Sequence, residues 1–161
     1  MEKTFILQAI DISIGYSNKK ETTTVASKVS VSLEKEKLTA LIGANGIGKS
    51  TLLRTLIGIQ SPLFGKVLLE NKDIHSIDNL TLAQHLSVVL TDKLPPSNLT
   101  VFELVALGRQ PYTNWIGKLT SEDIEKVKKA LELTQITHLA DKKYDEISDG
   151  QLQIVLIARA L

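Results

Sequence analysis

The stretch "GANGIGKS", Gly43 to Ser50, holds the densest set of residues with chemical potential in the chain. Gly43, Gly48, Lys49 and Ser50 satisfy the spacing G-x-x-x-x-G-K-[ST]. Glycines let a backbone turn tightly and come close to an anion. Inward-pointing amide N–H groups at the positive end of a following helix then supply aligned donors for a polyphosphate without using side chains. Lys49 adds a mobile ammonium for the terminal phosphates, Ser50 offers a hydroxyl to Mg²⁺, a hard cation that takes oxygen ligands, and Thr51 adds a phosphate contact. With Asn45 and Gly46 inside the loop, these residues predict a site for a nucleoside triphosphate and Mg²⁺.

A second stretch, "ISDGQLQIVLIARAL", puts Ser148 ahead of Asp149, Gly150 and Gln151 at the start of an apolar helix. A serine hydroxyl, a glycine N–H and a helix dipole make an anion site, and the same residues also make an ordinary N-capped core helix.

The elements that would carry these residues follow from hydrophobic period. Phe5, Leu7 and Ala9, and then Val25, Val29, Val31 and Leu33, alternate as half-buried strands do. "KLTALIG" is a near-continuous apolar run, Leu38 to Ile42, that predicts a strand buried on both faces and feeding the glycine-rich loop. Leu52, Leu53, Leu56 and Ile57 then predict an apolar stripe on a helix closed by Gly58. "SPLFG" is turn chemistry, "KVLLE" a short strand, and "LSVVL", Leu86 to Leu90, a further strand. "TVFELVALG" predicts a helix capped by Thr100 with Glu103 closing a capping box. After the loop "RQPYTNWIGKL", a second helix starts at Thr120 or Ser121, with Ile124, Val127 and Leu131 on one face and its Lys and Glu residues solvated. Helices concentrate after residue 98, as in a helical lobe inserted into an α/β core.

Composition narrows the classes. The 161 residues are 43% hydrophobic and 23% charged, enough for a core. Nineteen basic against eighteen acidic side chains leave +1, no field for nucleic acid or for a membrane surface. Cysteine is absent, which removes disulfides and thiolate metal sites. "MEKTFILQAID" lacks the apolar core of a signal peptide, and no apolar run nears the roughly 20 residues of a bilayer span.

With both stretches in hand, the chain resembles the ATP-binding-cassette (ABC) transporter ATPases. "GANGIGKST" is similar to their Walker A motif, and "ISDGQ" followed by "IARAL" to their signature motif, normally Leu-Ser-Gly-Gly-Gln. "TVFELVALGRQPY" resembles the corresponding segment in ATPases of ferric-siderophore, haem and cobalamin importers. The resemblance implies an α/β fold, a P-loop NTPase core with a mixed sheet and an inserted helical subdomain, divided as 1–92 and 93–161. It implies ATP with Mg²⁺ as ligands, and Tyr16 in "ISIGYSN" as the aromatic that stacks on adenine. It also implies a homodimer in which Ser148, Gly150 and Gln151 of one subunit face the Walker A loop of the other. Permease subunits would anchor the pair at the cytoplasmic face of a bacterial inner membrane, and a substrate-binding protein would engage only indirectly.

Departures from the family pattern carry expectations too. Where relatives end a strand with glutamine, "LSVVLTDK" places Thr91, a weak ion ligand, followed by Asp92. Asp149 replaces a glycine and would repel a γ-phosphate, while Leu152 and Ile154 stand near positions often basic or polar. An apolar strand ending in Asp-Glu (Walker B) and a switch histidine follow the signature in the family. Here His75, His85 and His138 all precede it. The expectation is a cassette incomplete at its C-terminus, with exposed apolar surface, unable to hydrolyse ATP alone for want of a general base. Two alternatives stand beside it: a small P-loop kinase or GTPase using Asp92 for Mg²⁺, and a nucleotide-binding pseudo-ATPase.

Overall fold

The alternating start of the chain forms a long antiparallel hairpin, β1 (Phe5–Ser17) and β2 (Thr22–Glu34), in the computed structural model, which describes residues 5–18, 21–89, 94–114 and 117–161. β3 (Phe64–Leu69) pairs with the other side of β1, and β4 (Lys72–Asp73) pairs with β3. The sheet has four strands in the order β2-β1-β3-β4, every neighbour antiparallel.

Leu7 and Ala9 of β1 are buried, and so are Ile12 and Ile14. Side chains alternate with a period of two, so odd and even positions share one face only if an extra residue intervenes. A register shift between Ala9 and Ile12 supplies it, with Asp11 at φ 49° and its N–H bonded to Ser30 Oγ at 2.9 Å.

The helix behind the glycine-rich loop, α1 (Lys49–Leu56), packs on β1. It buries Thr51, Thr55 and Leu56. The expected stripe is only partly realised: Leu52 and Ile57 are half-buried, and Leu53 is exposed. Gly58, at φ 77°, follows the last turn.

Two predicted strands are corrected. Residues 38–42 form no strand, and Leu38 and Ile42 are 101% and 90% exposed. Residues 86–89 form none either, and Leu90 lies outside the described residues. A strand is made by ladder hydrogen bonds to a neighbour, and among the described residues none runs beside either segment.

The described residues gather into two compact units, the first ending at Leu82 and the second beginning at Ala83, within α2 (Asn79–His85). The second unit is helical: α3 (Val101–Ala106), a 3₁₀ segment Leu107–Tyr112 where the sequence suggests loop, α4 (Ser121–Leu133) and α5 (Asp149–Ala160). α3 carries the expected capping box between Thr100 and Glu103. α4 is capped by Thr120, which settles the choice between Thr120 and Ser121. Val101, Leu104, Val127, Leu131, Leu139 and Val155 anchor the core of this unit.

Asp123 does more than join a solvated face. It is buried, accepts from Thr120 N at 3.0 Å and Thr120 Oγ1 at 2.7 Å, and receives Arg109 Nε at 2.9 Å. The Arg109 guanidinium also lies 3.9 Å from the centre of the Tyr112 ring, so one cation ties the 3₁₀ segment to the start of α4. The Thr120 hydroxyl and N–H, then Arg109, hold the Asp123 carboxyl down at about 2. A carboxyl depressed on folding stabilises fully above its unfolded value of about 3.9 and loses that contribution as pH falls toward the folded value. Asp123→Asn is therefore expected to lower the urea midpoint at neutral pH, with the gap from wild type closing between about pH 4 and about pH 2. Urea titrations across that range check it.

Candidate phosphate-binding loop

α1 begins on glycine. Gly48 is its N-cap, at φ 104° and ψ 11°, and no side chain caps the helix. The first N–H groups of a helix have no intrahelical partner, and here no capping oxygen competes for them. A Cβ built on Gly48 would lie 2.5 Å from Cγ1 of Val25, so the position excludes larger residues both by backbone conformation and by space. Gly46 is also left-handed, at φ 79°, in an exposed turn with Asn45.

Lys49 folds back over its own loop. Its Nζ donates to Gly43 O and to Ala44 O, each at 2.7 Å. An ammonium has three protons, so one is left for an incoming anion while the other two hold the loop entrance closed on itself. Ser50 is exposed. Thr51 faces inward, and its carbonyl accepts from Thr55 Oγ1 at 2.9 Å.

The hairpin braces this loop at two points. Ile14 pairs with Ala26 and Gly15 with Thr24, leaving Val25 as the extra residue of a bulge, and it is Val25 that meets Gly48. At the next residue, Tyr16 Oη lies 3.0 Å from Thr51 Oγ1. Tyr16 is itself well fixed. Gly15 packs so closely that an added Cβ would sit 2.0 Å from Thr23 O, Gln60 Nε2 donates to Gly15 O, and Leu63 N donates to Ser13 O at 2.7 Å. Tyr16 remains 54% exposed, and an exposed aromatic ring suits a flat ligand.

A triphosphate suits this donor set: a free ammonium proton, uncapped helix amides and short hydroxyls, with no carboxylate in the loop. Mg²⁺ suits Ser50 as one oxygen donor among phosphate oxygens. Among the described residues no cluster of three or more His, Cys, Asp or Glu would hold a metal unaided.

The second stretch is in a different condition. Ser148 is the N-cap of α5: its Oγ accepts from Gln151 N at 3.3 Å and donates to Gln151 Oε1 at 3.2 Å, and Ser148 N donates to the same oxygen at 3.0 Å. These polar groups already satisfy one another in a capping box. Gly150 is exposed with open space around it, and Asp149 stands in the first turn. Half-exposed Leu152 turns toward the core of this unit, while Ile154 is exposed. Thr91 and Asp92, the weak ion ligand and the rival Mg²⁺ ligand, lie outside the described residues.

Two features escaped the sequence: the Tyr16 to Thr51 bond and the Arg109 to Asp123 pair. Each joins residues on different elements, and nothing in local periodicity announces it. For Asp123, its place three residues after Thr120 was the available signal, since that is capping-box spacing.

Residues 26–161 match the model of the ABC transporter family. The ferric enterobactin transport ATP-binding protein FepC of Escherichia coli is 38% identical over 155 residues, which are 96% of this chain and 56% of that protein. The iron(3+)-hydroxamate import ATP-binding protein FhuC of Bacillus subtilis is 37% identical over 155 residues, 96% of this chain and 56% of that protein. A crystal structure of a nucleotide-free ATP-binding cassette from an ABC transporter superposes with a TM-score of 0.81 at 33% identity, covering 98% of this chain and 65% of that one. The chain thus spans little more than half the length of these curated relatives. The α/β P-loop cassette fold is shown, and a family match running through Asp92 to Leu161 decides against the small kinase or GTPase.

The loop geometry sets a stability contrast. Gly48→Ala forces a methyl-bearing residue to a left-handed backbone against Val25, a loss of about 1–2 kcal/mol or more. Gly43→Ala, whose nearest neighbour would be 3.4 Å away, is expected to stay within about 0.5 kcal/mol of wild type. Urea unfolding of the two variants side by side measures the difference.

Proposed function

The chain belongs to the ABC transporter family, and from that premise we propose that it is an ATP-binding subunit of an importer that takes up iron-siderophore chelates. The observation that carries the reading is the self-braced loop: Lys49 bonded to Gly43 O and Ala44 O beneath an uncapped helix start. The iron-chelate importers among its relatives support the cargo class.

In this reading the amides following Gly43, Asn45, Gly46 and Gly48 receive the phosphates, and Lys49 gives its remaining proton to a terminal phosphate oxygen. Ser50 ligates Mg²⁺, Thr51 adds a hydroxyl, and the exposed face of Tyr16 takes the adenine. Bound Mg²⁺ supplies charge neutralisation at the phosphates. Thr91 is retained as a weak additional ion ligand.

We propose that two copies pair so that Ser148, Gly150 and Gln151 of one approach the nucleotide of the other. Ser148 and Gln151 would then exchange bonds with each other for bonds to a phosphate. Residues 1–92 serve as the nucleotide-binding core and 93–161 as the helical subdomain that meets the permease. No helix among the described residues is long and apolar enough to cross a membrane. Attachment at the cytoplasmic face is assigned to the permease, with the substrate-binding protein engaged only through it.

No general base is assigned among these residues, because an apolar strand ending in Asp-Glu is not found in the 161-residue sequence. Calorimetry with Mg-ATP is expected to show binding that Lys49→Ala weakens by roughly 10- to 100-fold, the loss of a charge-assisted contact. A phosphate-release assay on the 161-residue chain alone is expected to show no turnover. Equal affinity of wild type and Lys49→Ala would refute the ATP reading, and steady turnover would refute the expectation that these residues alone do not hydrolyse ATP.

A further inference from the structure

The direction of the bond between Tyr16 and Thr51 decides what Thr51 can offer a phosphate. The two oxygens are 3.0 Å apart, and either hydroxyl is able to donate. Each has one proton and two lone pairs. If Thr51 donates to Tyr16, its proton is spent and only lone pairs remain to face a phosphate. If Tyr16 donates, the Thr51 proton is free to turn toward a phosphate oxygen, and the phenol, the more acidic hydroxyl, is the better donor.

Both ends of the bond are held. Thr51 is buried on α1, and its carbonyl is tied to Thr55 Oγ1. The backbone before Tyr16 is pinned by Gln60 at Gly15 O and by the close pass of Gly15 to Thr23 O. The phenol thus reaches the buried Thr51 hydroxyl from a pinned stretch of backbone.

We propose that Tyr16 is a positioning residue for the phosphates: its hydroxyl donates to Thr51 Oγ1 and thereby aims the Thr51 proton at a phosphate oxygen of the nucleotide. This rests on the ATP-binding reading and adds a second role to Tyr16, independent of any contact between its ring and a base.

Inorganic tripolyphosphate with Mg²⁺ separates the two roles, because it has phosphates and no base. Its affinity is read by displacement of a fluorescent ATP analogue from the intact protein. Tyr16→Phe is expected to weaken tripolyphosphate by about 3- to 10-fold, the net worth of one hydrogen bond, with a smaller loss for adenosine, which carries no phosphate and meets only the ring that Phe retains. Thr51→Val should lose at least as much, and adding Tyr16→Phe to it should cost nothing further, since the two act through one bond. Thr51→Ser, which keeps the hydroxyl, should keep the sensitivity to Tyr16→Phe and carries the test if the valine variant fails to fold.

Unchanged tripolyphosphate affinity in Tyr16→Phe overturns the proposal, as does a loss that adds to that of Thr51→Val or one that is equally large for adenosine. Those results leave ATP binding itself intact. Failure of wild type to bind Mg-ATP, or indifference to Lys49→Ala, takes down the ATP reading and this proposal with it.

Discussion

The site depends on a backbone held where most residues cannot go. Gly46 and Gly48 lie at positive φ, and that pair of turns brings the chain into α1 with no side chain over its first amides. Such a loop has little to hold it by itself, because glycine gives up more conformational freedom than any other residue on ordering. Three contacts supply the restraint: Lys49 across the loop entrance, Val25 against Gly48, and Tyr16 on Thr51. The donors are thus arranged before any ligand arrives, so less ordering entropy is lost on binding.

The two helix starts singled out by the sequence are physically opposite. α1 is uncapped, and its free amides have an outlet only in a ligand or in water. α5 is closed by its own Ser148 and Gln151. Recruiting the second start for an anion means breaking local bonds that are individually long, at 3.2 and 3.3 Å for the serine oxygen, and so not strongly resistant.

What was legible in the sequence was what neighbours along the chain decide. The caps at Thr100, Thr120 and Ser148 were readable because each is settled within four residues, and the phosphate loop because its pattern is itself a backbone geometry. The alternation of β1 and β2 was also plain, though the bulge that lets Leu7 and Ile12 share a face was not. Residues 38–42 show the limit from the other side: their apolar run promises a strand, yet pairing partners, not composition, make one. The bonds of Tyr16 to Thr51 and of Arg109 to Asp123 join positions distant in sequence, and only the fold brings them together.

The outer borders of the sheet carry a consequence for behaviour in a crowded solution. Among the described residues it stops on one side at β4, two residues long and charged at both; on the other, β2 is rich in Ser and Thr and turns at Lys28, which sits at φ 54°. A foreign strand finds no straight, greasy ribbon to zip onto, so the sheet is guarded against stacking into filaments even though apolar side chains stand bare elsewhere on the same unit.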